Sequence, residues 1–375
     1  MFKVEVELLP AAPEDVDSGE VLLTEETEAE EQILRSRWME AITEETEVDA
    51  VDLIAAGTEL QDPKTVAPMT VRLAQKAINN FTIARFNELH SNLDISSDAS
   101  NLILPEFVHI QFNDKVGGRV SKAILNWRLI TDSEWVLDVV EHGYKLEFAS
   151  YPTLTSKPIF DELNLPDIQR QAVHDQVLDL VDQGAVRRVS NPYTPRFYSK
   201  LFVREKKTDL PHPVFRLIID LSRLNEHLIV PHFTMESGRS VRNELRQGVY
   251  FCKFDLKNAY LHILIHPSSR KYLSFVHEGQ VYEWVSLPFG LATSPFVFTK
   301  VIAEIGKFVH LRGIHLVQFL DDWLLFCLIF KLTALQKDYI LQILWFLGWI
   351  LNEPKSILDP TQMAEYLGDL YNSLT

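Results

Sequence analysis

The rhythm of apolar and polar positions divides this chain into segments. Between residues 65 and 95 the apolar side chains fall at helical intervals, with Val71, Leu73, Ala74, Ala77, Ile78 and Phe81 among them. SSDASN at 96–101 breaks that pattern and reads as a loop. A mixed stretch follows over 102–160, where Trp127, Trp135, Tyr144 and Phe148 read as packing residues. Pro166 to Gly184 predicts a helix. Proline opens it, glycine ends it, and Ile168, Val173, Val177, Leu180 and Val181 supply an apolar stripe.

From Ala185 the pattern becomes that of strands. FYSKLFVREKK (197–207) and FRLIIDLSRLN (215–225) predict a hairpin with Lys206, Lys207 and Arg216 near its turn. Val249 to Leu256 predicts a buried strand, and NAYLHI a helical turn carrying Tyr260. KYLSFVHEGQVYEWV predicts a hairpin turning at Glu278 and Gly279. Ser294-Pro295 opens an amphipathic helix with Phe296, Phe298, Val301, Ile302 and Ile305. In LVQFLDDWLLF (316–326) two short apolar runs flank an aspartate pair, which predicts a hairpin with Asp321 and Asp322 at its tight turn. A helix over about 333–347 comes next, then Lys355 in a loop or edge strand. EYLGDLYNSLT reads as the start of another hairpin, cut short.

Composition narrows the class. Of 375 residues 46% are hydrophobic, enough for a substantial core in one large domain or two. Two cysteines, Cys252 and Cys327, exclude a disulfide framework or a Cys/His zinc pattern and point to a reducing compartment. Acidic residues from Glu5 onward argue against a signal peptide, and the longest apolar runs are too short to span a bilayer. The expectation is an intracellular protein, cytoplasmic or nuclear, with no membrane partner. The net charge of -16 is uneven: residues 1–60 hold 18 acidic and 3 basic side chains, whereas 187–246 hold 12 basic and 6 acidic. The first segment reads as an acidic disordered leader, and the second is compatible with a phosphate-bearing partner.

The chemistry concentrates in few places. Asp255 ends an apolar strand, so it must be exposed, hydrogen-bonded or bound to metal. Adjacent Asp321 and Asp322 repel unless a cation lies between them, and a turn offering oxygen ligands suits Mg²⁺. Taken alone, the pair also suits an ordinary solvated turn. Cations at a hairpin tip can close over a triphosphate. Gly290, in SLPFGLATSP, allows close backbone approach to a planar ligand.

The order of these pieces resembles the core of a reverse transcriptase. FDLKNAY resembles its motif A, LPFGLATSP motif B, FLDD motif C, LGWILNEPKS motif D and EYLG the start of motif E, with FRLIIDLSRLN as the fingers motif. The resemblance covers about 165–370. WRLITDSEWVLDVVEHGYKLEF, with GAVRRVSNP and FYSKLF, is similar to DIRS-like retroelement polymerases, and gypsy-type elements are the neighbouring possibility.

The resemblance implies an α+β fold: a right-hand polymerase palm of antiparallel sheet with packed helices, and fingers, the thumb missing or incomplete. Its domains would be the leader (1–60), a helical and mixed connector (61–160), and fingers and palm (161–375) of a longer retrotransposon polyprotein. It implies an RNA-directed DNA polymerase, a nucleotidyltransferase working with two Mg²⁺ ions or with Mn²⁺, on a primed RNA or DNA template and dNTP. Asp255, Asp321 and Asp322, with the Leu256 carbonyl, would be the metal ligands. Lys206 and Arg216 would hold the triphosphate, Tyr260 would exclude a 2′-hydroxyl, and Phe289 and Gly290 would border the pocket. Lys355 would be a general acid. Two other readings stay open: a catalytically inactive, truncated or domesticated remnant that only binds nucleic acid, and a right-hand polymerase making RNA, against which Tyr260 argues.

Overall fold

The computed structural model describes residues 101–159, 165–206 and 213–374, which fall in one compact unit. The expected leader, the helix over 65–95 and the tip of the basic hairpin with Lys207 lie outside the described residues. Ser133 caps helix α1 (Glu134–His142) by accepting a hydrogen bond from the Val136 N–H, and Gly143 closes it at φ +88. Helix α2 (Asp167–Asp182) follows Pro166 as expected. It rests on β1 and β3 along a narrow line, so Val173 and Val177 are buried while Ile168, expected in the stripe, is 69% exposed.

Strand β1 (Val186–Arg188) precedes the antiparallel pair β2 (Lys200–Lys206) and β3 (Val214–Asp220), which runs in register from Lys200↔Asp220 to Lys206↔Val214. Helix α3 (Gly238–Glu244) leads to β4 (Tyr250–Asp255). A 3-10 turn at Ala259–His262 carries Tyr260. Strands β5 (Ser274–His277) and β6 (Gln280–Trp284) turn through Glu278 (φ +49) and Gly279 (φ +68). Two consecutive positive φ values are the mark of a type I′ hairpin.

Helix α4 (Ser294–His310) starts at the expected Ser-Pro step and buries Phe298, Val301, Ile302 and Ile305. Strands β7 (His315–Phe319) and β8 (Asp322–Cys327) form the aspartate hairpin. Helix α5 (Phe330–Phe346) begins earlier than the periodicity predicts, because the apolar run after Cys327 supplies both a two-residue bend and its first turn. Strand β9 (Ile357–Thr361) is followed by β10 (Met363–Tyr366) and β11 (Asp369–Asn372). These last two pair fully through Leu367 and Gly368, both at positive φ, so the hairpin expected to be cut short is complete.

The central sheet has the order β7-β8-β4-β9, with antiparallel neighbours throughout. One face packs Phe251, Val317, Leu324 and Phe326 against Val241 of α3 and Ala364, Tyr366 and Tyr371 of the β10–β11 hairpin. On the other face Gln318 reaches α4, where its amide nitrogen donates to the Ile302 carbonyl, and α5 lies against β4 and β8. Burial on both sides explains why WLLF reads as a continuous apolar run instead of alternating. The fold is α+β, as expected.

The segment before α2 is tied into this body. The fully buried Asn126 amide donates to the carbonyls of Val108 (2.9 Å) and Phe346 (2.8 Å), and its oxygen accepts from the Val108 N–H (2.7 Å). Trp127 Nε1 donates to the Leu347 carbonyl, and Tyr339 donates its hydroxyl to the Ile103 carbonyl. Among the described residues no helix is long and apolar enough to cross a membrane.

Candidate active site

The β4–β8 register sets Asp255 directly opposite Asp322, and the Leu256 N–H donates to the Asp321 carbonyl (2.9 Å). The turn itself differs from expectation. Its central residues are Leu320 and Asp321, while Asp322 is the first residue of β8. Among these, φ is positive only at Leu320 (+51), a costly conformation for a branched side chain. The Trp323 indole N–H donates to the Leu320 carbonyl and pins the turn (2.8 Å).

Each carboxylate has a different environment. Asp255 is 8% exposed; Asn352 Nδ2 donates to its Oδ1 (2.7 Å), and its own N–H donates to Ser356 Oγ (3.0 Å). Asp322 Oδ1 is buried without a hydrogen-bond partner among the described residues, although the Lys253 ammonium lies 3.3 Å away as an ion pair. The Tyr366 hydroxyl donates to the Asp322 carbonyl (2.9 Å). Asp321 stands exposed at the turn, yet burial of its carboxyl against the sheet end raises its pKa. Its own backbone hydrogen bond opposes the rise, the charges of Asp322 and Asp255 add to it, and exposed Lys355 draws it back. A hard, all-oxygen donor set with mutual repulsion and a hydrogen-bond-lacking oxygen is of the chemistry that suits a divalent cation such as Mg²⁺, although the three carboxylates do not all lie within 4.8 Å of one another.

Beside the carboxylates lies an aromatic wall. Tyr260, 8% exposed, packs against Phe289 (ring centroids 4.8 Å apart) and Phe298 (5.3 Å). Burial, and then the Asp321 charge, push its phenol up to about 12. Phe289 is 57% exposed and Gly290 sits at φ +86. Asn225 clamps this loop: its Nδ2 donates to the Gly290 carbonyl (3.0 Å) and its Oδ1 accepts from the Ala292 N–H (2.9 Å). A Cβ built at Gly290 would come 3.5 Å from the Ile219 carbonyl, so the loop lies against the end of β3.

Asp255, Leu256, Tyr260, Phe289, Asp321, Asp322 and Lys355 are thus linked at one sheet end, with the Gly290 loop beside them. Arg216 is exposed on β3 opposite Arg204, and Lys206 pairs with Val214 at the far end of β2. No contact among the described residues joins Arg216 to the carboxylates. Part of the basic zone is engaged elsewhere, since Arg187 and Arg196 both pair with buried Glu283. Sequence reasoning did not single out Asn352, Ser356, Asn225, Lys253 or Tyr366. Asn352 and Ser356 lie inside the LGWILNEPKS motif and Asn225 ends FRLIIDLSRLN, but their partners are 65 to 101 residues away in sequence.

Residues 212–368 match the family described as reverse transcriptase (RNA-dependent DNA polymerase). The Retrovirus-related Pol polyprotein from transposon gypsy of Drosophila melanogaster is 24% identical over 328 residues, covering 80% of this chain and 30% of that protein. The corresponding polyprotein from transposon 297 of the same organism is 26% identical over 193 residues, or 50% and 18%. The chain therefore spans less than a third of these curated relatives. A crystal structure of prototype foamy virus protease-reverse transcriptase superposes with a TM-score of 0.50 at 20% identity, covering 61% of this chain and 29% of that one. The fold is that of a right-hand palm with fingers. Residues 212–368 thus match a reverse transcriptase domain, and the chain is similar to the Pol polyproteins of retroelements.

Proposed function

We propose that this chain supplies the fingers and palm of an RNA-directed DNA polymerase, extending a primer 3′-hydroxyl with dNTPs on a nucleic-acid template. The observation that carries this reading is the register pair Asp255↔Asp322, with Asp321 at the adjoining turn and Tyr260 packed on Phe289 beside them. Asp255, Asp321 and the Leu256 carbonyl would hold two divalent cations, with Asp322 as companion. Bound there, Mg²⁺ or Mn²⁺ would lower the pKa of the attacking hydroxyl and offset charge on the leaving pyrophosphate.

The chain's own residues orient the reactants. Asn352 and Lys253 hold the Asp255 and Asp322 carboxylates, and Ser356 and Tyr366 hold the backbone beneath them, so that the acceptor set needs little reorganisation. Tyr260, backed by Phe289 and Phe298, forms a floor under the sugar that has no room for a 2′-hydroxyl. The Asn225-clamped loop at Phe289 and Gly290 borders the base. Lys206 and Arg216 draw in the triphosphate as ion-pair donors, and Lys355 gives a proton to the departing pyrophosphate. Residues 161–375 make up the fingers and palm of this reading, with 1–60 as a leader, and 101–159 of the expected connector pack into the same body.

The test is primer extension on a primed RNA template with Mg²⁺ or Mn²⁺. Wild type should extend with dNTPs and Asp321→Asn should lose at least about 100-fold in rate, as expected when charge-stabilising groups are removed. Tyr260→Ala should admit ribonucleotides that wild type rejects. Equal extension by wild type and Asp321→Asn would refute the metal assignment. Template binding without extension by either would favour a catalytically silent nucleic-acid binder.

A further inference from the structure

Among the described residues one group of three His, Cys, Asp or Glu side chains brings its ligand atoms within 4.8 Å of one another: His174, His277 and Glu278. It lies on different elements from the carboxylates described above. His174 is on α2; His277 ends β5, and Glu278 is the first residue of the type I′ turn. His174 Nδ1 is 3.1 Å from Glu278 Oε2 and 3.3 Å from His277 Nε2. The two rings are tilted by 44° with centroids 5.5 Å apart, so they converge through their nitrogens instead of stacking face to face.

The two separations from His174 Nδ1 match those of a tetrahedral metal site. With zinc bonds of about 2.0–2.2 Å to imidazole nitrogen and carboxylate oxygen, neighbouring ligand atoms lie roughly 3.3 Å apart. Without a cation, a single His174 Nδ1–H would have to be shared between Glu278 and His277. A ring nitrogen carries at most one proton, so His174 Nδ1 cannot donate to Glu278 and also accept from His277. A cation meets the lone pairs of all three at once. Two imidazoles and one carboxylate favour a borderline ion over Mg²⁺. His277 is 7% exposed, whereas His174 and Glu278 are partly open to solvent, which gives an ion a way in and leaves room for a water in the fourth position.

We infer that His174, His277 and Glu278 form a zinc-class site that pins α2 to the β5–β6 hairpin. The consequence reaches β3. Two residues along α2, Gln176 donates to the Phe215 carbonyl (3.1 Å) and accepts from the Leu217 N–H (2.9 Å), on either side of Arg216. A metal fixing α2 at His174 therefore stiffens the helix on which the Arg216 strand rests.

The test is a Zn²⁺ titration of the full chain, freed of metal by chelator, followed by calorimetry and melting, with Co²⁺ absorption reporting tetrahedral geometry. Wild type should bind one Zn²⁺ per chain, melt higher with it, and show reduced hydrogen exchange in α2. His174→Ala and Glu278→Gln, both at partly exposed positions, should keep the metal-free melting temperature and lose more than about 100-fold in Zn²⁺ affinity, beyond a typical supporting-residue effect. Absence of stoichiometric Zn²⁺ binding by wild type would overturn the site. So would Zn²⁺ affinity unchanged in both variants.

Discussion

At the scale of single residues, Asp321 shows the site's electrostatic tension. Its raised pKa means that the folded chain holds this proton more tightly than the unfolded chain does. Its contribution to stability is therefore greatest below the ordinary carboxylate value and falls as pH rises from there through the raised value. At neutral pH the ionised group is a net cost in the metal-free protein. Asp321→Asn should accordingly raise the metal-free melting temperature at pH 7, by no more than about 3 °C for so exposed a group, and by less near pH 4. Added Mg²⁺ should raise the melting temperature of wild type and leave the variant nearly unmoved. A variant that melts lower than wild type at pH 7 without metal would contradict the repulsion.

At the scale of elements, the aspartate hairpin is held from below. Leu320 occupies a left-handed conformation that a leucine adopts at a cost, and the surroundings must hold it there. Trp323 fastens the turn from inside the hairpin, and Tyr366 of β10 fastens Asp322 from outside. Burial followed by the nearby Asp322 charge drives the Tyr366 phenol far above its usual range, so it stays a donor at any working pH. Tyr366→Phe keeps the packing and removes one buried hydrogen bond, and should cost about 1–2 kcal/mol in denaturant unfolding. It should also reduce extension in the polymerase assay. No loss of stability would mean that the β10–β11 hairpin merely covers the sheet.

At the scale of the whole molecule, the segment before α2 behaves as part of the core. Asn126 closes three backbone hydrogen bonds in a fully buried position, one of them to the end of α5. Asn126→Ala leaves those groups unpaired and should cost about 2–4 kcal/mol. Melting should remain a single transition at lower temperature; a separate early transition would show that 101–159 folds independently. Nothing in the sequence around Asn126 announces this role. Its partner Phe346 is 220 residues away, and an asparagine in a helical turn reads locally as solvent-facing. Asn225 and Asn352 escaped notice for the same reason. The zinc-class cluster escaped too, because its histidines are 103 residues apart and obey no ligand spacing. What the sequence alone determined was local: the doubly buried strands, the Ser-Pro helix start, the Glu278-Gly279 turn, and the placing of Asp255 and the Asp321-Asp322 pair beside short apolar runs. Periodicity and turn chemistry act over a few residues, so a few residues suffice to read them. Tertiary structure alone decided that Leu320, not Asp322, takes the turn, that Asp255 faces Asp322, and which amides hold them. Those outcomes depend on strand register and on side chains that meet only after the chain has folded back on itself.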